Sequence, residues 1–468
     1  MLVDQEAQLR AIALFNEAIE GLGSSGQASL SSKISSQAGR LGLRVGDSAI
    51  PMGMRLHPIT ATQQRWATQN AEGVFMALTQ VEAAALGRNF FVKWLVDRSI
   101  PSARDRALFF QVSKRKREGK NRYQMARLDL ISRAVEVNGN GVQGWAFHDK
   151  AAELYETVLP DFFPGFRGLS LPRVAPRLLS LILSAYKVER GNGVAPTIGI
   201  VKLRGRDEVE KNEAPYIAKQ FRMQGTNTII GYADQVSLRD NEMYLRGKRI
   251  HVIYRVFDVA NLGDLWDDAK DLYEIFMRPD DFTVVPSVSD SIVGLKFGFA
   301  LLSSPIWRTL LVDSKYHDAI NELVPWTRMV TPFNPMSIVL PIAMQWNYVL
   351  KTSYGSSGNE VHMGRKTFPL LWWMHMLKSL VTHDSVVQKM DTHGGYDWPI
   401  YHDGEFGIQR RITDVNPHIF GGTAPGTAIV RFGSPKGHPI NVGNSDPRQR
   451  GGVSLPVSSG TVIRALRS

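Results

Sequence analysis

No cysteine occurs among the 468 residues. That absence excludes a disulfide framework, a thiolate metal site and a cysteine nucleophile together. Long hydrophobic runs are missing as well. The most apolar stretch, FPLLWWMHMLKSLV (368–381), is too short and too interrupted to span a bilayer. The N-terminal MLVDQEAQLRAIALF carries acidic residues and no basic n-region ahead of an apolar core, so it does not read as a signal peptide. The expectation is a cytoplasmic protein with no membrane partner. Acidic residues are in deficit, 44 Asp and Glu against 55 Lys and Arg, which leaves a net charge of +11. A basic balance favours acidic partners: nucleic acid, an anionic membrane, or phosphate-bearing and carboxylate ligands. The one dense basic run, KRKREGKNR (114–122), has no interleaved aromatic residues, so nucleic acid is not the expected partner. With 43% hydrophobic and 21% charged residues, the composition is globular, and the length suits about two to four domains.

What is present begins with helical spacing. Residues 1–23 and 61–98 place apolar side chains at three- and four-residue steps, as in ATQQRWATQNAEGVFMALTQVEAAAL. Between them, GSSGQASLSSKISSQAG (23–39) is Ser/Gly-rich and reads as a mobile connection. ARLDLISRAVEVN (126–138) alternates on both sides of a Ser-Arg turn, the pattern of a hairpin. Residues 149–187 read as helices broken by the prolines of LPDFFPGF and LPRVAP. TIGIVKLRG (197–205) is a buried-type strand, and NEAPYIAKQFRMQG (212–225) is a helix stopped by Gly225. NTIIGYADQVSLRDNEMYLRGKRIHVIYRVFD (227–258) reads as strand, hairpin and strand, turning at Asp240-Asn241. This β-α-β order is a small Rossmann-like unit. From 282 onward the chain alternates: a strand at FTVVPSV, a helix at GLKFGFALLSS, a strand at 346–351 and a helix through 368–380. The Trp/Met-rich face of that last helix reads as core, with a hydrophobic substrate pocket as the alternative. Strands follow at SVVQKM, FGIQRRITDV, GTAIVRFGS and HPINVGN, so the class is α+β rather than a simple doubly wound sheet.

Two stretches carry candidate chemistry. In YVLKTSYGSSGNEV (348–361) a β-branched run delivers Lys351 into a loop of Ser, Tyr and Gly. Glycines let backbone N–H groups fold over phosphate, and a lysine on a rigid strand supplies a fixed charge. A surface hairpin with a solvated lysine fits the same letters. The spacing is neither that of a Walker A loop nor that of a nucleophile elbow. RLDLISRAVEVNGNG (127–141) carries Arg127, Asp129, Glu136 and Asn138. Glu136 and Asn138 are two apart and share one face of a strand, and Asp129 could meet them across the hairpin. Such hard oxygens suit magnesium, whereas an exposed polar edge is the plainer alternative. His148, His375, His383 and His393 lack ligand-like spacing and read as ordinary polar or packing residues.

Taken in order, Arg-x-Asp, Glu-x-Asn-Gly-Asn, the Rossmann-like unit with its NEAPYIAKQF helix, GLKFGFALLS, the Lys351 loop and GTAIVRFGSPKGHPINVGNSDPRQRGG (426–452) resemble the circularly permuted ATP-grasp family, which includes glutathionylspermidine synthetase-like carboxylate–amine ligases. The resemblance implies an α+β ATP-grasp fold with a Rossmann-like α/β subdomain and an N-terminal helical region. Its implied divisions are a mainly helical region at 1–122, the metal-ligand hairpin and core helices at 123–194, a substrate-binding subdomain at 195–281, and ATP-grasp lobes with the Gly-rich loop at 282–468. It implies an ADP-forming ligase that makes an amide or peptide bond through an acyl phosphate, using ATP and one or two Mg²⁺ ions. The substrates would be a small-molecule or peptide carboxylate and an amine.

On the family's pattern, Asp129, Glu136 and Asn138 hold the metal, and Arg127 is catalytic at the transferring phosphoryl group. Lys296, Lys351, Tyr354, Gly355, Ser356, Ser357, Gly358, Gln388, Lys389, Met390 and Arg431 hold ATP, with residues 388–390 as the adenine hinge. Glu213, Arg255 and Asn444 touch substrate. The chain departs from the pattern in its short Asp129–Glu136 link, in lacking Asn-Lys-Ala near Lys296, and in carrying Thr352 where a proline is usual. Two alternatives keep many of these residues: a catalytically silent, basic nucleotide- or nucleic-acid-binding relative, and an ATP-dependent small-molecule kinase. The joint presence of Arg127, Asp129, Glu136, Asn138 and Lys351 favours an active enzyme. The acid, the amine and the oligomeric state stay open, a homo-oligomer among the options.

Overall fold

The computed structural model describes residues 4–45, 48–87, 89–100, 102–112, 124–139, 144–191, 195–204, 210–259, 266–332, 334–354, 361–382, 384–390, 395–402, 404–433 and 452–467. The chain opens with α1 (Gln5–Glu20) and α2 (Gly23–Arg40). The second of these corrects a sequence expectation, because the Ser/Gly-rich stretch is a helix and not a mobile connection. Gln27, Leu30, Ile34, Gln37 and Ala38 fall at three- and four-residue steps and are buried. Leu30, Ile34 and Ala38 share a core with Phe15, Phe147 and Leu154. Serine and glycine are poor helix formers, so burial of one stripe, rather than propensity, holds this helix. The long α3 (Ala61–Leu86) starts at a capping box in which Thr60 and Gln63 satisfy each other's backbone N–H groups.

β1 (Met125–Leu130) and β2 (Ala134–Asn138) form the expected antiparallel hairpin. After α4 (Trp145–Phe162) and α5 (Ala175–Arg190) comes a four-stranded parallel sheet. Its strands are β3 (Ile198–Lys202), β4 (Thr228–Tyr232), β5 (Val252–Arg255) and β6 (Thr283–Val285), ordered β6-β5-β3-β4, and α6 (Glu210–Met223) links β3 to β4. Ile198, Ile200, Val252 and Tyr254 enter one core, whereas Val201 and Ile253 enter another. Covering both faces is what a parallel sheet requires. The hairpin at 236–245 turns at Asp240 and Asn241, whose φ angles of 49° and 60° are those of a tight two-residue turn. With the next strand, Lys248–Ile250, it packs closely over Gly199 and Gly231, where a Cβ would lie 2.6 Å from Ile250 and Leu245 respectively.

A second, antiparallel sheet is ordered β7-β10-β8-β9: β7 (Thr327–Met329), β8 (Tyr348–Thr352), β9 (Val361–Met363) and β10 (Ser385–Lys389). Its helical cover is α7 (Met336–Ala343) and α8 (Pro369–Thr382). The α8 helix corrects another expectation. Only Trp372, Met376 and Ser379 are buried, a narrow i, i+4, i+7 stripe that the half-buried Leu380 joins, while Leu370, Leu371, Trp373, Met374, Leu377 and Val381 face outward. The chain then completes the large antiparallel sheet with β11 (Gly395–His402), the long β12 (Glu405–Phe420), β13 (Ala428–Gly433) and β14 (Gly452–Ser454). The order is β14-β13-β12-β1-β2, with β11 also paired to β12. The expected strand at HPINVGN lies outside the described residues. Residues 456–458 pair in parallel with 57–59, which brings the two ends of the chain into one core.

Candidate active site

The hairpin's register sets the site. Asp129 lies directly opposite Glu136, and Arg127 opposite Asn138, so all four side chains belong to one face of the large sheet. On the same sheet β12 reads T-D-V-N-P-H, and period-two alternation turns Asp414, Asn416 and His418 to a common face. Arg431 on β13 lies opposite Asp414. Its Nη2 donates to Asp129 Oδ2 at 2.8 Å and to Asp414 Oδ2 at 2.6 Å. Arg127 Nε donates to Asp129 Oδ1 at 2.8 Å. Asn416 completes the group, donating to Asp414 Oδ1 at 2.8 Å and accepting the Leu130 N–H at 3.2 Å.

Two guanidiniums thus face two buried carboxylates. Burial alone would push Asp129 up, but Arg127 and Arg431 outweigh it and hold the carboxyl below its ordinary range. Burial pushes Asp414 up despite Arg431. Arg431 itself is held above its usual range, because the two carboxylates overcome the effect of burial.

Lys351 approaches this group from the other sheet. Along β8, Tyr348 and Leu350 enter the core beneath α8, so the alternating Lys351 points the opposite way. Its Nζ donates to Val135 O at 2.8 Å and to Gln388 Oε1 at 2.7 Å. Gln388 is fixed in turn by its Nε2 bond to Thr327 Oγ1 at 3.3 Å. Burial lowers the Lys351 pKa to about 8, Glu136 and Asp129 oppose the drop, and Lys296 adds to it. Lys296 stands at the start of a short helix, its backbone N–H donating to Ser353 O at 3.2 Å. Glu136, Lys296 and Asp129 therefore lie within electrostatic reach of Lys351.

Asn138 Nδ2 is buried beside the Asp129 carboxylate, which it helps keep ionised. No cluster of three or more His, Cys, Asp or Glu suited to a metal occurs among the described residues. Two carboxylates and one amide remain, a set that magnesium completes with phosphate and water oxygens.

The other expected residues are placed as follows. Tyr354 Oη donates to Asp105 Oδ2 at 3.3 Å, and Trp266 Nε1 donates to Asp105 Oδ1 at 2.9 Å, so a tyrosine of the Gly-rich loop's stem is tied to the helical region. The backbone N–H groups of Lys389 and Met390 already donate within the protein, to Trp326 O at 2.9 Å and Asn347 O at 2.8 Å. Gly355, Ser356, Ser357, Gly358 and Asn444 lie outside the described residues. Arg255 is buried and turned into the loop after β6, bonding Pro286 O at 3.4 Å, Ser291 Oγ at 3.2 Å and also Phe257 O. Burial lowers its pKa to about 10. Glu213 is buried at the start of α4, where its carboxylate accepts from Gly144 N at 2.9 Å and Ala146 N at 3.2 Å. Its effect on the cluster is indirect, since a Cβ on Gly144 would stand 3.4 Å from Arg127 Nη1.

Asp414, Asn416, Asp105 and Ser353 were not singled out by sequence reasoning. The alternation of T-D-V-N-P-H was the available signal for the first two, whereas nothing local marks the others.

No protein-family model matches the sequence, and no curated protein does. Among solved structures, a glutathione synthetase-like effector from Globodera pallida, in its apo form, superposes with a TM-score of 0.56 at 11% identity, covering 92% of this chain and 96% of the effector. A Methylobacillus flagellatus KT protein, a gamma-glutamylcysteine synthetase by name, gives a TM-score of 0.36 at 10% identity over 88% of this chain and 97% of its own. The first likeness gives this chain the fold of a glutathione synthetase-like protein.

Proposed function

We propose that this chain is an ADP-forming carboxylate–amine ligase of the circularly permuted ATP-grasp kind, acting on a small-molecule or peptide acid and an amine. The observation that carries the reading is the approach of Lys351, from one antiparallel sheet, to the Asp129–Glu136–Asn138 hairpin of the other. A cation and a hard-oxygen set held on two opposed sheets form a clamp for a metal-bound triphosphate. The fold likeness to a glutathione synthetase-like effector supports the same reading.

In this reading Asp129, Glu136 and Asn138 would hold Mg²⁺, which when bound neutralises phosphate charge. Lys351 and Lys296 would pair with phosphate oxygens from the two sides. Arg127 and Arg431 would supply planar donors to the oxygens of the transferring group. The acid substrate's carboxylate takes the terminal phosphoryl group of ATP, releasing ADP. The amine then attacks the acyl carbon, expels phosphate and loses one proton. Protein groups mainly position and neutralise in such a transfer.

The test is ADP release across a panel of carboxylates, each with and without amines, with hydroxylamine present to trap an acyl phosphate as a hydroxamate. Release that needs an acid and yields hydroxamate is expected, and Glu136→Gln should abolish it while leaving the melting temperature within a few degrees. A phosphorylated product without hydroxamate would replace the ligase reading with a kinase.

A further inference from the structure

The helical cover of the small sheet faces solvent with an apolar surface. Phe368, just ahead of α8, is 78% exposed, Leu370 and Val381 on the helix are 71% and 79% exposed, and Trp373 and Leu377 are exposed beside them. The neighbouring α7, which Trp372 Nε1 ties by a 3.0 Å bond to Pro341 O, adds Met336 and Val339, with Trp346 just beyond it. Together these side chains expose roughly 1,000 Å² of apolar surface, above the few hundred Å² usual for the largest patch on a monomer.

The surrounding charge is mainly positive. From Thr327 to Asp384 the sequence contains Arg328, Arg365, Lys366 and Lys378, besides Lys351 buried on the other side of the sheet, against two carboxylates, Glu360 and the Asp384 that accepts from Thr382 Oγ1 at the end of α8. Arg365, Lys366 and Lys378 are exposed around α8. We infer that this face docks onto an anionic lipid surface, with α8 lying in the headgroup plane and its aromatic and aliphatic residues buried in the acyl boundary. Cations rimming an apolar face that carries Trp and Phe are the pattern of an interfacial helix. With 14 residues, α8 is too short to cross a bilayer.

Shape and charge select this occupant. Side chains that are more than 70% exposed stand out as a ridge, whereas a partner helix needs a groove to lie in. Lipid adapts to a ridge. A second copy of the chain would bring rims of mainly positive charge together with few carboxylates to offset them. Lys351 leaves the opposite side of the sheet, so a docked molecule keeps its candidate active site turned away from the membrane. The inference stands independently of the ligase reading, and it departs from the sequence expectation of no membrane partner.

The experiment is co-sedimentation of the full chain with vesicles of equal phosphatidylglycerol and phosphatidylcholine, compared with pure phosphatidylcholine. Binding to the anionic vesicles at least tenfold tighter is expected. The neutral triple variant Leu370→Ser/Trp373→Ser/Val381→Ser should lose that binding at least tenfold while melting at the wild-type temperature, since these side chains are exposed. Arg365→Gln/Lys378→Gln should weaken it severalfold. The inference falls if the wild type ignores anionic vesicles. It also falls if the triple variant binds them as the wild type does, because net charge alone then explains the attachment. A wild-type dimer that the triple variant converts to monomer, without vesicle binding, would assign the face to a second copy instead.

Discussion

Lys351 Nζ lies 2.8 Å from the carbonyl oxygen of Val135, a residue 216 positions away on the carboxylate hairpin. The contact joins the two antiparallel sheets by a buried ammonium whose pKa has dropped from 10.5 to about 8. Phosphate binding requires that ammonium in its charged form. The affinity for ADP or a non-hydrolysable ATP analogue should therefore be constant near pH 6.5 and weaken as pH rises through about 8, by up to about tenfold per pH unit. Calorimetric titrations between pH 6.5 and 9.5 measure this, and Lys351→Arg should flatten the profile. An affinity independent of pH in the wild type would remove Lys351 from the phosphate site.

The same burial makes Lys351 costly in the absence of ligand. The drop from 10.5 to about 8 corresponds to roughly 3 kcal/mol of disfavoured charge at neutral pH. The unfolded chain keeps its proton up to higher pH than the folded one, so this cost is full below about 8 and is relieved as pH rises from there toward 10.5. Lys351→Met loses the bonds to Val135 and Gln388 but also removes the buried charge. We expect its free energy of unfolding at pH 7 to lie within about 1 kcal/mol of wild type, while nucleotide no longer raises its melting temperature. Destabilisation of about 3 kcal/mol or more would mean that the lysine is structural.

Arg431 is the shared counter-ion of Asp129 and Asp414. Arg431→Met would leave the two buried carboxylates facing each other, at a cost of about 3–5 kcal/mol near pH 7. The direction with pH follows from the signs. In the wild type, Asp129 titrates below its unfolded value, so its contribution is present above that value and is lost as pH falls. In the variant Asp414, already raised by burial, loses the counter-ion that opposes the rise, so the variant regains stability as pH falls through that raised value. Urea unfolding at pH 8, 7, 6 and 5 should show the gap between the two proteins closing toward acid. A gap that stays constant would rule out charge as its cause.

Most of the fold was legible where a period is strong. Alternation in ARLDLISRAVEVN gave the hairpin, and with it the register that opposes Asp129 and Glu136. The β-α-β letters from 197 to 258 gave the parallel unit and its Asp240-Asn241 turn. Composition misled at α2, where Ser and Gly mask a buried stripe of Leu30, Ile34 and Ala38. It misled at α8 for a different reason: a Trp/Met-rich helix announces an apolar face, but nothing in its letters states whether anything covers that face. The partners of Glu213 and Tyr354 were not legible either. Gly144 and Asp105 are 69 and 249 residues away, and only the tertiary fold brings them together.

Glu213 offers a sharp separation of roles. Its carboxylate satisfies backbone N–H groups at the start of α4 from a fully buried position, where burial raises its pKa. Glu213→Ala would orphan those donors and should cost about 2–3 kcal/mol, with Glu213→Gln losing less because one acceptor oxygen remains. Thermal unfolding without substrate measures both. An Ala variant with wild-type stability and a raised KM would return Glu213 to substrate binding.

The helical assignment of α2 carries its own test. If residues 23–40 pack as a helix, Ile34→Ala opens a cavity beside α4 and should cost about 2–4 kcal/mol. Ser35 and Ser36 lie on the exposed side of the same helix. Ser35→Ala and Ser36→Ala should each stabilise by a few tenths of a kcal/mol up to about 0.5, through helix propensity alone. The opposite signs are the diagnostic part. In a mobile connector neither face exists, and all three substitutions would leave the denaturation midpoint unchanged.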